Sequence, residues 1–279
     1  MDRYVVAGNP VEHSQSPFIH AEFARQTGQA MAYDRLLCPL DAFAESVRAL
    51  AHGGAKGCNI TVPFKFEALR LGQRATERAA LAQAANVLRF DADGWLADNT
   101  DGAGLVADIE RNAGVALAAT RVLLIGAGGA AAGVLGPLLA AHPWEIVVAN
   151  RTLDKARVLV ERHRHVAGAV VLRASTLQGC GTGFDVVVNA SASSLQGAAV
   201  PVGFDVLAPG ALALDMMYGA AAQPFLDWAA AHGARGRDGL GMLVEQAAAA
   251  FELWRGVRPD TAPVLQALRL RMNRTQATR

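Results

Sequence analysis

The chain has 279 residues, of which 52% are hydrophobic, and this length predicts two domains with sizeable buried cores. Its 26 Lys and Arg nearly balance its 25 Asp and Glu, so the net charge of +1 argues against nucleic-acid or polybasic membrane binding and favours small neutral or anionic ligands. The three cysteines (Cys38, Cys58 and Cys180) are widely spaced and fit neither a disulfide framework nor a zinc site, so we expect no metal.

The first predicted strand lies in MDRYVVAGNP, which has a charged start and no apolar stretch of signal-peptide length, so we expect a cytoplasmic protein. A predicted helix follows, with Ser16 before Pro17 at the first helical position and Gly28 after the last turn. Ser16 alone could be an N-cap. Ser14 is not needed for capping, and two hydroxyl groups beside the positive end of a helix would suit a carboxylate.

The stretch GCNITVPFK, residues 57–65, predicts a strand that ends at Val62 and a helix that begins at the following proline. Lys65 then lies in the first helical turn, at the carboxyl end of a parallel strand, where open α/β sheets bind ligands. A helix N-terminus disfavours a cation, which suits a lysine that exchanges protons, and the alternative is a solvated lysine. Asn59 and Thr61 alternate with apolar neighbours, so we expect the two polar side chains on one face and Val62 buried on the other.

The sequence DNTDG places Asp101 just before a predicted helix that starts at Ala103. Asp101 is therefore either the N-cap of this helix or an acid, near the junction of the two predicted domains, that pairs with Lys65 and holds its amine.

The apolar run at residues 122–141 contains five glycines and a proline, and it predicts a buried strand at 121–125, a glycine turn and a helix from near Ala130 rather than a membrane span. The turn GAGGAA, residues 126–131, fits the G-x-G-x-x-(G/A) pattern in which helix amides bind a pyrophosphate. A tight turn without a ligand is the alternative interpretation.

The next strand, EIVVAN, ends where an NAD-binding protein carries an acid for the ribose 2′-hydroxyl. The chain instead continues with Asn150, Arg151 and Thr152, and Lys155 follows three residues later. Cations and polar donors suit a 2′-phosphate, and we therefore predict NADP as the cofactor.

Strand-like apolar runs alternate with Ala- and Leu-rich stretches of helical length, which is the pattern of an α/β fold. We predict two domains: a Rossmann-type dinucleotide-binding domain at residues 103–237, and an α/β substrate domain formed by residues 1–102 and completed by the C-terminal helices of 238–279. The last ten residues, LRMNRTQATR, predict a frayed basic tail.

Taken together, these motifs resemble the NADP-dependent shikimate and quinate dehydrogenase family over essentially the whole chain. The resemblance is carried, in order, by S-x-S-P, N-x-T-V-P-x-K, Asn86, N-T-D-G, GAGGA, NRT, DMMY at 215–218 and DGLGMLVEQ from Asp238. It implies a reversible, NADP-dependent reduction of 3-dehydroshikimate to shikimate in aromatic amino-acid biosynthesis.

The resemblance also implies a role for individual residues. Ser14 and Ser16 would bind the substrate carboxylate, and Lys65 and Asp101 would be the catalytic pair. Further substrate contacts would come from Asn59, Thr61, Asn86, Asp101, Tyr218 and Gln246. The cofactor would be bound by Gly126, Ala127, Gly128, Gly129, Ala130, Asn150, Arg151, Thr152 and Lys155, with Met216 and Gly239 beside the nicotinamide.

Some positions depart from the family pattern: Gln15 where lysine is common, Val87 where threonine often follows Asn86, and NASASS at 189–194 in place of N-A-T-S-x-G. They leave open a preference for quinate or another cyclic hydroxy acid. A third interpretation is a ligand-binding relative that does not turn over its ligand. Such a protein would be expected to lack Lys65 or Asp101, and this sequence contains both. The expected partner is a small-molecule substrate, with no nucleic acid or membrane, and the oligomer considered is a homodimer.

Overall fold

The structure is a computed structural model in which residues 1–191 and 200–277 are described. The chain divides into two compact units: unit 1 comprises Met1–Gly104 and Val244–Arg279, and unit 2 comprises Leu105–Leu243. Each unit contains a six-stranded sheet. No helix in the described part of the chain is long and apolar enough to cross a membrane.

Strands and helices mostly alternate along the chain. Those up to residue 107 are β1 (Asp2–Gly8), α1 (Ser16–Thr27), β2 (Met31–Leu37), α2 (Phe43–His52), β3 (Gly57–Ile60), α3 (Lys65–Leu71), β4 (Arg74–Ala75), α4 (Glu77–Ala82), β5 (Val87–Arg89), β6 (Leu96–Asp98) and α5 (Asp101–Ala107). The remaining ones are β7 (Arg121–Ile125), α6 (Gly129–Ala140), β8 (Glu145–Ala149), α7 (Leu153–His163), β9 (Val171–Ser175), β10 (Phe184–Asn189), β11 (Leu207–Asp215), α8 (Gln223–Ala231), β12 (Arg235–Arg237), α9 (Leu240–Arg255) and α10 (Ala262–Ala277).

The sheet of unit 1 is mixed, with the strand order β2-β1-β3-β5-β6-β4. Strand β3 is parallel to β1 on one side and antiparallel to β5 on the other. The carboxyl end of β3 therefore lies beside that of β1 and beside the start of β5, so residues following β3 and preceding β5 come together.

The sheet of unit 2 has the order β12-β11-β10-β7-β8-β9, and its paired strands are parallel. Read from the other edge, this is the order 3-2-1-4-5-6 of the doubly wound Rossmann fold. The sequence of β7 explains its central place: Val122 and Leu124 pack in one hydrophobic core, while Leu123 and Ile125 pack in a second core. Both faces of the strand are buried, as an unbroken apolar run requires.

The predicted α/β class is confirmed, and so are the strand at 121–125 and the end of α1 at Gly28, which has a left-handed φ of 66°.

Four local predictions are wrong. Helix α3 begins at Lys65 rather than at Pro63, and α5 begins at Asp101 rather than at Ala103. Strand β3 ends at Ile60, two residues before the predicted end at Val62. The chain turns here, with the Phe64 amide donating to the Thr61 carbonyl at 3.1 Å. Val62 is therefore 62% exposed and not buried as predicted. The tail predicted to be frayed from residue 270 is helical as far as Ala277, where α10 ends.

Candidate functional site

Lys65 and Asp101 form a hydrogen-bonded ion pair in unit 1. Lys65 is the first residue of α3 and Asp101 the first of α5. The Lys65 Nζ donates to Asp101 Oδ2 at 2.5 Å, and the two side chains are 25% and 8% exposed. Because Asp101 is itself the first residue of α5, it is not the N-cap, and its amide donates to Asn99 Oδ1 at 3.1 Å. The acid and the lysine that the sequence singled out are thus brought together, with the amine on the more accessible side.

Asn86 connects this pair to Gln246. The buried Asn86 Nδ2 lies 2.9 Å from Asp101 Oδ1, 3.0 Å from Gln246 Oε1 on α9 and 3.0 Å from Thr100 Oγ1. The Thr100 amide donates to Asn86 Oδ1 (2.8 Å), which fixes the orientation of the carboxamide. Both Asp101 oxygens therefore accept a hydrogen bond, one from Lys65 and one from Asn86, and the carboxylate is held in place.

Ser14 and Ser16 lie side by side at the start of α1. The Ser14 hydroxyl donates to Ser16 Oγ (3.2 Å), and the Ser16 amide donates to Ser14 Oγ (3.3 Å). Ser16 is the first residue of the helix and Gln15 occupies the N-cap position without a side-chain capping bond, so Ser16 is not the N-cap. Thr61 is half-buried in the turn after β3.

Asn59 is buried in β3 and has two partners that the sequence reasoning missed. Its Oδ1 accepts from the Tyr33 hydroxyl at 2.7 Å and lies 3.2 Å from His20 Nε2, while its Nδ2 donates to the Asn86 carbonyl at 3.3 Å. A polar residue in an internal strand must find partners, and this requirement was the available signal. Their identity depends on how the sheet places Tyr33 of β2, across β1, and how α1 places His20 beside Asn59, which local sequence does not specify.

The glycine turn of unit 2 is buried at Gly126 and open at Gly128. Gly126 has a φ of +111°, and a Cβ added there would lie 3.0 Å from the Ala190 carbonyl oxygen. Gly128 is exposed at the N-cap of α6, with nothing within 4 Å of an added Cβ. Ala127, Gly129 and Ala130 are half-buried around it. The space beside Gly128 is thus open, and a glycine turn that leads into a helix N-terminus is the kind of site that binds the pyrophosphate of a dinucleotide.

The segment after β8 is polar and accessible. Arg151, Thr152 and Lys155 are exposed, and Asn150 Nδ2 donates to the Thr152 carbonyl at 2.8 Å. The nearest acid in sequence, Asp154, is bound by Arg157 at 3.0 Å. The two cations are consistent with a 2′-phosphate site.

Met216 and Gly239 meet at the carboxyl end of β11. The Gly239 amide donates to the Met217 carbonyl (2.8 Å), and an added Cβ at Gly239 would collide with the Met216 backbone. Burial raises the pKa of Tyr218, which follows in the same segment. Of the unusual NASASS segment, residues 192–194 lie outside the described residues.

A buried acid that the sequence analysis did not single out holds this segment. Asp215 Oδ1 accepts from the Met217 amide (2.8 Å), and Asp215 Oδ2 accepts from Asn189 Nδ2 (2.9 Å). Within residues 1–191 and 200–277, no group of three or more His, Cys, Asp or Glu side chains is placed to hold a metal ion.

Comparisons with protein families and known proteins agree along the chain. Three family models match: the shikimate dehydrogenase substrate binding domain at residues 6–88, shikimate / quinate 5-dehydrogenase at residues 108–197, and the shikimate 5′-dehydrogenase C-terminal domain at residues 239–269. A shikimate dehydrogenase (NADP(+)) of Methylibium petroleiphilum is 66% identical, with 96% of this chain and 94% of the relative covered.

Two solved structures have the same fold. A crystal structure of an enzyme called Ael1 from Pseudomonas putida is 47% identical with a TM-score of 0.90, covering 96% of this chain and 98% of that one. Shikimate 5-dehydrogenase from Thermus thermophilus, in complex with NADP(H) and shikimate, is 29% identical with a TM-score of 0.85, covering 96% of this chain and 99% of that one.

Proposed function

Because the chain belongs to the shikimate dehydrogenase family, we propose that it is an NADP-dependent oxidoreductase that reversibly reduces 3-dehydroshikimate to shikimate in aromatic amino-acid biosynthesis. The observation that carries the proposal is the Lys65–Asp101 pair, held by Asn86 and accessible on the lysine side. In this assignment unit 1 binds the substrate and unit 2 binds the cofactor.

Lys65 is the proton donor and acceptor. Its ammonium gives a proton to the 3-oxo oxygen in reduction, and the neutral amine takes the proton of the 3-hydroxyl in oxidation. Asp101 orients the amine through Oδ2, and Asn86 holds Asp101 through Oδ1, so the proton is presented from a fixed position. When bound, NADPH supplies the hydride, and with it both electrons, to the carbonyl carbon.

The other substrate contacts come from unit 1. Ser14 and Ser16 bind the carboxylate, because their adjacent hydroxyl groups lie at the positive end of α1. Asn59, Thr61, Asn86 and Gln246 bind the ring hydroxyls. Tyr218 is proposed as a further substrate contact.

NADP is bound by unit 2. The amides of the turn formed by Gly126, Ala127, Gly128, Gly129 and Ala130 donate to the pyrophosphate. Arg151 and Lys155 neutralise the 2′-phosphate, with Asn150 and Thr152 as further donors. Met216 and Gly239 line the nicotinamide position.

The test is turnover by the purified protein with shikimate and NADP⁺, followed by NADPH absorbance, against the same assay with NAD⁺ and with quinate. We expect shikimate with NADP⁺ to have the highest kcat/KM. Quinate is the second candidate substrate because the matched family model covers shikimate / quinate 5-dehydrogenases. A higher kcat/KM for quinate would reassign the substrate, and binding of shikimate without turnover would make the protein a ligand-binding relative.

We also propose that the protein works in the cytoplasm, as a homodimer and without a nucleic-acid partner. Its cysteines, Cys38, Cys58 and Cys180, are free and buried, as expected in a reducing compartment. The net charge of +1 provides no electrostatic attraction to nucleic acid. Twofold dimers are the commonest soluble oligomers, and light scattering tests this arrangement through the mass in solution.

A further inference from the structure

His20 is a buried histidine with an unsatisfied ring nitrogen. Its ring stacks on Tyr33 with the centroids 4.2 Å apart and the planes at 9°, and it meets the ring of Phe23 edge-on at 6.0 Å. Among the described residues, its Nδ1 has no hydrogen-bond partner. A phenylalanine of similar shape would fill this aromatic pocket without burying a bare acceptor, so the histidine needs a reason beyond packing.

The geometry of Asn59 supplies that reason. The Asn86 carbonyl can only accept, so the group 3.3 Å from it must be the Asn59 Nδ2, and the Asn59 Oδ1 therefore faces Tyr33 and His20. The Tyr33 hydroxyl donates to this oxygen at 2.7 Å. His20 Nε2, at 3.2 Å from the same oxygen, must then carry the proton, which leaves Nδ1 as the bare acceptor.

Ser16 lies near the phenol of Tyr33. Burial raises the Tyr33 pKa well above its ordinary value, and the Ser16 hydroxyl lowers it by less. Ser16 in turn accepts from Ser14. The hydrogen bonds themselves run from Tyr33 to Asn59, and from Asn59 to the main chain of Asn86.

We propose that His20 is a positioning residue for substrate binding, whose Nε2–H fixes the Asn59 carboxamide so that the second Nδ2 hydrogen is directed to a substrate hydroxyl. One Nδ2 hydrogen is donated to the Asn86 carbonyl, and within the described part of the chain the other has no protein acceptor. Without His20, the Asn59 carboxamide keeps only the Tyr33 hydroxyl on Oδ1 and the Asn86 carbonyl on Nδ2, so its orientation is held less firmly. This inference rests on the proposed function, because it assigns Asn59 to the substrate.

The first test compares His20→Phe with His20→Gln in steady-state kinetics and in calorimetric titration with shikimate. We expect His20→Phe to raise the KM and Kd for shikimate roughly fivefold to tenfold, which is the loss of affinity expected when one neutral hydrogen bond is removed. The kcat and the KM for NADP⁺ should stay within about twofold of wild type. Glutamine retains an N–H donor and should restore most of the affinity.

His163→Phe is the matched control, because His163 is also buried, also has an unpartnered ring nitrogen and lies in unit 2. It should leave shikimate affinity unchanged. In an Asn59→Ala background, His20→Phe should change the KM for shikimate no further. An additive effect there, or a folded His20→Phe enzyme with wild-type affinity, would show that His20 only packs.

A second measurement needs no substitution. Nitrogen-15 spectra of the wild-type histidine rings should show His20 as the Nε2–H tautomer, with a resonance that moves when shikimate is added. An Nδ1–H tautomer, or a resonance unmoved by saturating shikimate, would overturn the inference. Shikimate binding without NADPH production would contradict the proposed function alone, so the two failures are distinguishable.

Discussion

In the proposed mechanism, turnover depends on Lys65. We expect Lys65→Ala to lower kcat by roughly 10² to 10⁴, the usual contribution of a positioned acid–base group, while the KM for shikimate changes far less. Lys56→Ala, at an exposed lysine nearby in sequence, is the control and should have normal kinetics. Steady-state assays at saturating NADP⁺ measure both constants, and a defect confined to KM would mean that Lys65 only binds.

The buried His20 makes stability depend on pH. Burial lowers its pKa from 6.5 to about 3, so between these values the unfolded chain binds a proton at this position that the folded protein excludes. Stability at this site is therefore fully present above pH 6.5 and is lost as the pH falls below it. The linked slope is about 1.4 kcal/mol per pH unit for one proton.

Urea denaturation between pH 4 and 6 measures how the free energy of unfolding changes with pH. His20→Phe should reduce this slope by about 1.4 kcal/mol per pH unit, which corresponds to one proton. Burial also lowers the pKa of His163, which adds a contribution of the same sign, so the slope should fall and not vanish. An unchanged slope in a folded His20→Phe protein would mean that the ring is protonated in the native state.

At the scale of elements, the proposed 2′-phosphate site in the segment after β8 would set cofactor preference. A charge-assisted hydrogen bond contributes roughly 1.5 to 3 kcal/mol, so Arg151→Ala should reduce the NADP⁺ to NAD⁺ ratio of kcat/KM by about tenfold to a hundredfold. Arg157→Ala, an exposed arginine on α7 that binds Asp154, is the control and should leave the ratio unchanged. If both variants keep the wild-type ratio, the 2′-phosphate is bound elsewhere.

In the turn between β7 and α6, we expect an added side chain to be tolerated at Gly128 but not at Gly126. Gly126→Ala should destabilise unit 2 by at least about 1 to 2 kcal/mol, because φ is +111° and the new Cβ would press on the Ala190 carbonyl. Gly128→Ala has an open side and an extended backbone, so its thermal midpoint should stay near wild type while its NADP⁺ affinity falls. Calorimetry and NADP⁺ titration separate the two effects, and equal midpoints would contradict the strain argument.

How far the sequence predicts an element depends on whether its signal is local. Strand β7 and helix α6 were predictable because an apolar run and a glycine turn are local patterns. The end of β3 was not, because β-branched Thr61 and Val62 favour a strand while a turn closes from Phe64 back to Thr61. Tyr33 and His20 could not be found at all, since β1 separates β2 from β3 and only the sheet brings Tyr33 to Asn59.

For the whole molecule, the assignment of substrate to unit 1 and cofactor to unit 2 predicts separate footprints. In hydrogen exchange, shikimate alone should slow amides of unit 1 around residues 59–65, and NADP⁺ alone should slow amides of unit 2 around residues 126–131. At a concentration of about 100 times Kd, either ligand should add roughly 2.7 kcal/mol to the stability of the form that binds it. Protection by shikimate that is confined to unit 2 would reverse the assignment.

The order of the chain has a consequence for synthesis on the ribosome. Unit 2 is one uninterrupted stretch, Leu105–Leu243, whereas unit 1 needs both ends of the chain. Trp254 donates to the Leu88 carbonyl at 3.1 Å, and Gln246 accepts from Asn86 at 3.0 Å. Since domains generally fold as units while the chain emerges, the middle of this protein can fold before its beginning is complete. The hydrogen bonds around Asn86 are then among the last to form, when α9 leaves the exit tunnel.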